Sequence, residues 1–325
     1  MSVTKRDQLK LPKHKRPDVA LKADTDVHLA TYHYLKCEFQ HARRHEQGII
    51  RDDDEEFLHQ YRVSLRRCRA LIGLLHPLFE KQQKVMLKLA LRTLMQRTNT
   101  LRDLDVFLMK MEEYFFLLEH CHHNGLTRFF DDLQDTRRKT FKQVKRWLKS
   151  NEYQQHCTVI DGLLDELKHA ATANSDPKAT ISSKTLAQTT LHHHYHRFTK
   201  RSEGITATSP DHKLHQLRIE GKKFRYALEY FTPLYPKAQA KQQLLLLKQV
   251  QTSLGDLNDL AIQHTFLTNY LRTTQCMDMK KAALESLLEK ANTHYGRLRA
   301  ESLEQIAVFQ APEYVRVFKL FSEIK

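Results

Sequence analysis

Glycine and proline are scarce in this chain, eight of each in 325 residues, against ordinary shares of about 7% and 5%. So little punctuation excludes a fold of many short strands joined by tight turns and favours long helices. No apolar run approaches the ~18 residues that span a bilayer, and the basic stretch 1–22 lacks the apolar core of a secretory signal. A cytosolic protein without membrane attachment is expected. Cys37, Cys68, Cys121, Cys157 and Cys276 are odd in number, widely spaced and free of any Cys-x-x-Cys, which argues against a disulfide framework and a zinc ribbon. Reduced, mostly buried thiols are expected instead. Also missing are G-x-x-x-x-G-K-[ST], H-E-x-x-H, and any carboxylate cluster at metal-ligand spacing on a cation-rich face. A phosphatase or phosphotransferase needs one of these, or a paired acid and base, so no catalytic residue, metal or cofactor is expected.

What the chain does have is charge of one sign. Lys and Arg number 53 against 38 Asp and Glu, a net +15, and such an excess attracts polyanions: nucleic acid, anionic lipid or a phosphate polymer. Apolar residues recur at helical spacing nearly throughout, giving expected helices over 24–47, 55–76, 79–109, 126–148, 151–170, 183–203, 211–232, 237–272 and 277–303, with a short one after Pro312. Breaks are expected at Gly48 with the acidic run 52–56, at His76-Pro77, Asn124-Gly125, 174–177, Ser209-Pro210 and 233–236. An all-α fold follows, with a basic tail over 1–17 and a helical domain over 18–322. The polar gap 171–182 divides that domain into a first repeat of about 18–172 and a second of about 183–322.

The halves share one register. At an offset of 156 (215 minus 59), His59-Gln60-x-Arg62 falls on His215-Gln216-x-Arg218, and Arg66, Arg67 and Arg69 fall on Lys222, Lys223 and Arg225. The same offset carries Pro77-Leu78-Phe79 onto Pro233-Leu234-Tyr235, Arg92 onto Lys248, and Leu101-Arg102-Asp103-Leu104 onto Leu257-Asn258-Asp259-Leu260. A single ungapped register over this length marks an internal repeat.

At about 100° per residue, Tyr61, Leu65, Cys68, Ile72 and Leu75 form one apolar seam, repeated by Leu217, Phe224, Leu228 and Phe231. Gly221 takes the place of Leu65. A mid-helix glycine costs about 1 kcal/mol relative to alanine, so it is expected to admit a close helix contact. Roughly 120° around the same helices run His59, Arg62, Arg66 and Arg69, matched by His215, Arg218, Lys222 and Arg225. Like charges one turn apart repel, and a merely solvated face interleaves Glu or Asp. The first stripe has none, which points to an external anion. The competing reading, in which each cation pairs with a carboxylate on a neighbouring helix, applies to any single stripe and is weakened by duplication. Arg67 and Lys223 lie off the stripe's centre, as flanking residues or as cations facing water. The following helix carries Lys88, Arg92, Asn99 and Arg102 on one face and Leu87, Leu91, Leu94, Leu101, Leu104 and Leu108 on the other; in its second copy only Lys248 is charged. Asp103, Asn258, Asp259 and Tyr226 are supporting residues, with the two aspartates orienting a cation or a backbone amide. Arg137, Arg138, Lys139, Lys142, Lys145, Arg146 and Lys149 extend the positive field. The clusters His120-Cys121-His122-His123 and His192-His193-His194-Tyr195-His196 read as exposed histidines, because adjacent helical residues point in different directions and metal ligands must converge.

The four segments His59–Arg69, Leu101–Val106, His215–Tyr226 and Leu254–Asp259, in this order, resemble the CHAD family, the conserved histidine α-helical domain. The resemblance runs from about Asp18 to Phe321. It implies two four-helix bundles related by a pseudo-twofold axis, with the motif helices lining a basic groove that binds inorganic polyphosphate. The family's histidine and basic positions fall on His59, Arg62, Arg66, Arg69, Arg102, His215, Arg218, Lys222 and Arg225. The sequence departs from the family at Asn99, where glycine is common, which leaves the local helix ending open. The triphosphate-tunnel domain that often accompanies CHAD domains, with its Glu-x-Glu-x-Lys signature, has no counterpart here.

Polyphosphate suits the stripes: arginine forks and lysine point charges at one-turn spacing each take a phosphate of a polymer that has no bases to read. Nucleic acid is the chief rival on electrostatics, but single-strand binders interleave stacking rings with cations, and only Tyr226 sits beside a stripe. A second alternative is an accessory subunit of a phosphate-metabolising enzyme. The tail, with Lys5, Arg6, Lys10, Lys13, Lys15 and Arg16, offers a tether to an anionic body such as a polyphosphate granule.

Overall fold

The computed structural model describes residues 10–15, 17–23, 25–173, 181–273 and 278–312. Lys5, Arg6 and Arg16 of the tail, the linker at 174–177, Cys276 and the short helix expected after Pro312 lie outside the described residues. Among those described, the chain is all-α, without a strand. Twelve helices follow in order: α1 (Val27–Arg44), α2 (Glu46–Arg51), α3 (Glu55–Leu74), α4 (Lys81–Gln96), α5 (Asn99–Met109), α6 (Met111–Leu117), α7 (His120–Leu148), α8 (Asn151–Ala173), α9 (Ser183–Glu203), α10 (Asp211–Phe231), α11 (Lys237–Thr273) and α12 (Asp278–Gln310).

Local chemistry sets several of these limits. Asp26 caps α1 by accepting from the Leu29 amide at 2.9 Å, and Asp54 caps α3 through the Glu56 amide at 2.8 Å, each relieving an unpaired first-turn donor. Glu55 and Glu56 then sit at the positive end of the α3 dipole. Asp52, at φ 59°, ends α2 in the left-handed conformation, which Asp tolerates better than most residues. Pro77 and Pro233 each sit in a 3-10 turn that closes the preceding helix. Starts recur at the sequence offset: α3 and α10 begin at Glu55 and Asp211, and α4 and α11 at Lys81 and Lys237, again 156 apart (211 minus 55, 237 minus 81).

Four expectations are corrected, the first being the break at Gly48, which lies inside α2, where a Cβ would overlap the Phe57 ring. The helix expected over 79–109 is broken at Arg97-Thr98, whereas its second copy, α11, runs unbroken. Thr98 is fully buried, and Arg62 Nη1 donates both to its hydroxyl, at 2.8 Å, and to the Met95 carbonyl, at 2.7 Å. A charged donor thus satisfies an end carbonyl that an interior helical residue would bond within its own ladder. Asn124-Gly125 is no break, since α7 passes straight through it. Gly125 is needed for contact instead, because a Cβ there would overlap the carbonyl of Met279 on α12. The short helix α6 was not expected.

The chain packs as two compact units, one taking Met1–Asp103 and Arg138–Thr190, the other Leu104–Arg137 and Leu191–Lys325. Packing therefore divides the chain differently from the sequence repeat, since residues 104–137 of the first repeat pack with helices of the second. In the first unit the expected seam of α3 is buried: Tyr61, Leu65, Ile72 and Leu75 have no exposed surface. Leu87, Leu91 and Leu94 of α4 are buried as well. Tyr153 of α8 donates to Glu46 of α2 at 2.6 Å, keeping a buried hydroxyl satisfied. In the second unit one core joins Leu104, Phe107, Tyr114, Phe129 and Phe130 to Leu267, Leu284 and Leu287. The α10 seam of Leu217, Phe224, Leu228 and Phe231 is buried too. A Cβ on Gly221 would lie 2.9 Å from the Phe198 ring of α9, so the glycine does admit the close contact expected of it. Among the described residues Cys37, Cys68 and Cys157 are buried free thiols and Cys121 is exposed. Burial pushes the Cys157 thiol up to about 11, so it is inert at neutral pH. No described helix is long and apolar enough to cross a membrane.

Candidate functional site

In the first unit, α3 and the α4–α5 pair run side by side, and their cations meet along the seam. His59 lies close enough to Arg102, Arg66 and Arg62 for their charges to hold its pKa below the ordinary 6.5, although burial is the larger cause. Arg62 is half-buried behind them, its guanidinium fixed by Met95 and Thr98. Burial lowers its pKa first, and the charges of Arg66 and Arg102 lower it further; Asp103 works in the opposite direction. Two turns on from Arg62, Arg69 reaches the Met95 sulfur at 3.7 Å. Its pKa is lowered by burial and then by Arg92, and its buried Nε has no hydrogen-bond partner. At the far end, Lys88 Nζ comes 3.0 Å from where a Cβ on Gly73 would lie. His59, Arg62, Arg66 and Arg69 of one helix and Lys88, Arg92 and Arg102 of the others therefore form a continuous strip of like charge. Arg66 and Arg92 make no ion pair or hydrogen bond among the described residues. Each of these cations disfavours its neighbours' charge, a standing repulsion that an incoming anion relieves.

The equivalent strip in the second unit is chemically different. Asn258 stands at the position of Arg102, and His215 Nδ1 bonds to its Oδ1 at 2.7 Å, replacing a repulsion with a hydrogen bond. An amide oxygen only accepts, so Nδ1 carries the proton, and the other ring nitrogen can donate to an anion only in the imidazolium form. Arg218 lies 3.6 Å from Asp259, and Arg225 lies 3.4 Å from Glu229 while its guanidinium covers the Tyr226 ring at 5.4 Å. Lys222 is half-buried on the same face and Lys248 is exposed. Here the reading in which cations pair with carboxylates holds in good part.

Arg67 and Lys223 do not join the strips. One residue along a helix is a turn of about 100°, which points Arg67 at Glu38 of α1, 3.7 Å away, and Lys223 at Glu220, 3.0 Å away. Both carboxylates are almost fully buried, and an unpaired buried charge is costly, so these two cations serve the fold. Arg137 is likewise engaged by buried Asp105 at 2.7 Å, whereas Arg138, Lys139, Lys142, Arg146 and Lys149 lie exposed along α7. Thr98 and the Met95 carbonyl, which aim Arg62, were missed from the sequence, because a hydroxyl 36 residues away leaves no periodic signal. Among the described residues no three His, Cys, Asp or Glu side chains gather as metal ligands; His123 is turned inward, 3.1 Å from each of the Phe115 and Leu118 carbonyls.

Two basic strips at one register, each opened by a histidine, are the arrangement the CHAD motifs imply, and the CHAD domain family model matches residues 33–268. The chain belongs to the CHAD domain family. Its fold is similar to a crystal structure of the CHAD domain from the plant Ricinus communis, with a TM-score of 0.65 and 23% identity over 94% of this chain and 95% of that one. It is also similar to PptA from Streptomyces chartreusis, with a TM-score of 0.56 and 15% identity over 87% of this chain and 100% of the other. No curated protein matches the chain. At these identities the likeness shows the CHAD fold alone.

Proposed function

We propose that this chain binds inorganic polyphosphate, without catalysis, along its basic strips, in the cytoplasm and on polyphosphate granules. The observation that carries the reading is the strip of the first unit, where seven cationic or potentially cationic side chains share a face and Arg66 and Arg92 have no carboxylate among the described residues. A folded protein that gathers this many cations on one face has a polyanion as the natural complement. The regular spacing suits a polymer, and the polyphosphate expectation attached to the CHAD resemblance points the same way. Nucleic acid is the less suited partner: single-strand binders interleave stacking rings with cations along the strand, and Tyr226, the ring beside a strip, has its face covered by Arg225.

The test is a titration of the purified chain with long-chain polyphosphate, single-stranded DNA, duplex DNA and inorganic triphosphate, at moderate and at high salt. Polyphosphate is expected to bind more tightly than either DNA by at least an order of magnitude, and no orthophosphate should be released. Equal affinity for DNA would reduce the strips to general surface charge, and phosphate release would end the non-catalytic reading.

Binding is also expected to strengthen as pH falls. Free His59 titrates below 6.5 because burial and three arginines oppose its charge; a polyanion laid on the strip reverses the electrostatic part and raises that pKa. The complex then takes up a proton, and affinity rises with acidification until both states are protonated. Dissociation constants measured at about pH 5.5 and about pH 7.5, on either side of an ordinary histidine pKa, should differ several-fold, and His59→Gln should reduce the difference. A flat profile in the unmodified protein would remove the histidines from the site.

A further inference from the structure

The second unit holds a cavity of about 550 Å³ at the start of α10, between that helix, α11 and α12. Its walls are apolar, formed by Leu214, Leu254, Leu257, Ile262 and Phe266, and Ile262 keeps 56% of its surface exposed. Two of its lining residues, His215 and Asn258, also belong to the second basic strip. The α10–α11 pair is antiparallel, with His215 against Asn258 and Gly221 against Gln251. Beyond His215, away from the cavity, the strip therefore continues through Arg218 and Lys222 over about 10 Å of helix. Apolar space and phosphate-binding cations thus share one edge.

From this juxtaposition we propose that the second unit binds a nucleoside polyphosphate, with the base in the apolar cavity and the phosphates running past His215 onto Arg218 and Lys222. This rests on the reading of the strip as phosphate-binding. The volume falls within the ~300–1,000 Å³ of small-ligand sites, and a mostly apolar lining with a few polar groups is their usual character. The lining also carries polar groups: Thr265 and Asn269 of α11, the Asn258 amide and Tyr295. That distribution suits a heteroaromatic ring with hydrogen-bonding edges better than an acyl or prenyl chain. The charge at the mouth does not repel phosphate outright, because Asp211 is held by Arg299, with 2.6 Å between them, and His212 and His215 flank it. Phe266 packs tilted on Phe107 with ring centroids 4.2 Å apart, which holds one aromatic wall in place.

The experiment compares ATP, adenosine, inorganic triphosphate and geranyl diphosphate by calorimetry on the full chain, in the unmodified protein, in Ala261→Trp, and in an Arg218→Ala, Lys222→Ala double variant. Ala261 is a half-exposed cavity residue, so a larger side chain there fills the cavity from its edge. ATP is expected to bind at least about tenfold more tightly than triphosphate, the gain that burying and stacking one base provides. Ala261→Trp should bring ATP down to the level of triphosphate while leaving triphosphate affinity unchanged, which also shows that the variant is folded. The double variant should weaken ATP, and triphosphate less, since the first strip still takes triphosphate. ATP binding no better than triphosphate, or unaffected by Ala261→Trp, overturns the proposal and leaves the strip reading intact. Tighter binding of geranyl diphosphate than of ATP overturns the assignment of the cavity to a base. Triphosphate and long-chain polyphosphate both failing to bind would instead overturn the strip reading on which the proposal stands.

Discussion

Replacing Arg66, Arg69 and Arg92 together by alanine is expected to weaken polyphosphate binding by about a hundredfold or more, whereas alanine at Arg218, Lys222 and Arg225 weakens it by about tenfold or less. The difference comes from what each cation does in the free protein. Charge-assisted hydrogen bonds contribute about 1.5–3 kcal/mol each, so three of them exceed two orders of magnitude even after partial compensation. In the first unit a phosphate meets Arg66 and Arg92, for which no carboxylate has to be displaced among the described residues, and Arg69, whose contact is the Met95 sulfur. In the second it must displace Asp259 from Arg218 and Glu229 from Arg225, and much of the gain is spent in the exchange. Arg62 is left out of the variant because its bonds to Met95 and Thr98 hold the end of α4, and its loss would confound binding with folding. Two further readouts separate a site from a surface effect. The slope of log affinity against log salt should fall by about one for each phosphate-contacting cation removed. The free first-unit variant should also unfold at a higher temperature than the unmodified chain, since a repulsion has been removed. Equal losses from the two variants, or a larger loss from the second, would contradict the assignment.

Most of this strip could be read in the sequence because one helix face repeats every three to four residues, and the repeat is visible without knowledge of neighbours. The seam Tyr61, Leu65, Ile72 and Leu75 and the stripe Arg62, Arg66 and Arg69 both came from periodicity, and the structure buries the one and gathers the other. What periodicity cannot supply is the partner across the packing. Glu38 is 29 residues before Arg67 (67 minus 38), and nothing in the local pattern marks it as buried or as paired. The break at Arg97-Thr98 has no glycine or proline to announce it; the Met95 carbonyl there accepts from Thr98 and from the Arg62 guanidinium of another helix. Gly125 carried the opposite error, because a glycine that serves helix contact and one that ends a helix look alike until the opposing carbonyl is known. The packing of residues 104–137 with the second half was hidden for the same reason, since a shared sequence register carries no record of which helices pack together.

The folded protein is expected to lose stability steeply between about pH 6.5 and about pH 4, chiefly through buried His41 and His194, with His45 lowered by burial in the same direction. His41 of α1 is 5% exposed, with His14 and His45 rings 4.5 and 4.7 Å from its own. Its Nδ1 is buried without a partner. His194 of α9 is 9% exposed, its Nδ1 3.9 Å from Glu220. Burial, reinforced by neighbouring cations and imidazoles, lowers each to about 4. An unfolded histidine titrates near 6.5, so between these values the unfolded chain binds protons that the folded chain refuses, and stability falls as pH falls. Each histidine contributes on the order of 3 kcal/mol across the window, a large part of the 5–15 kcal/mol that holds a typical domain together. His14 acts in the other direction: its bond to buried Glu38, at 2.8 Å, raises its pKa, so the pair favours the folded state at mildly acid pH and is lost as pH rises. That contribution is smaller because His14 is 38% exposed and its charge is screened by water. Thermal unfolding followed by circular dichroism should therefore show a melting temperature that is level above about pH 7 and drops by many degrees toward pH 4.5, on the scale of a few degrees per kcal/mol. His41→Phe with His194→Phe should level the curve in this range even where the substitutions change its height. A melting temperature independent of pH over that interval in the unmodified chain would mean that both imidazoles reach solvent when protonated. Because polyphosphate binding strengthens over the same interval, bound polymer should offset the loss by RT ln(1 + [L]/Kd), and the acid-induced drop in melting temperature should be smaller in its presence.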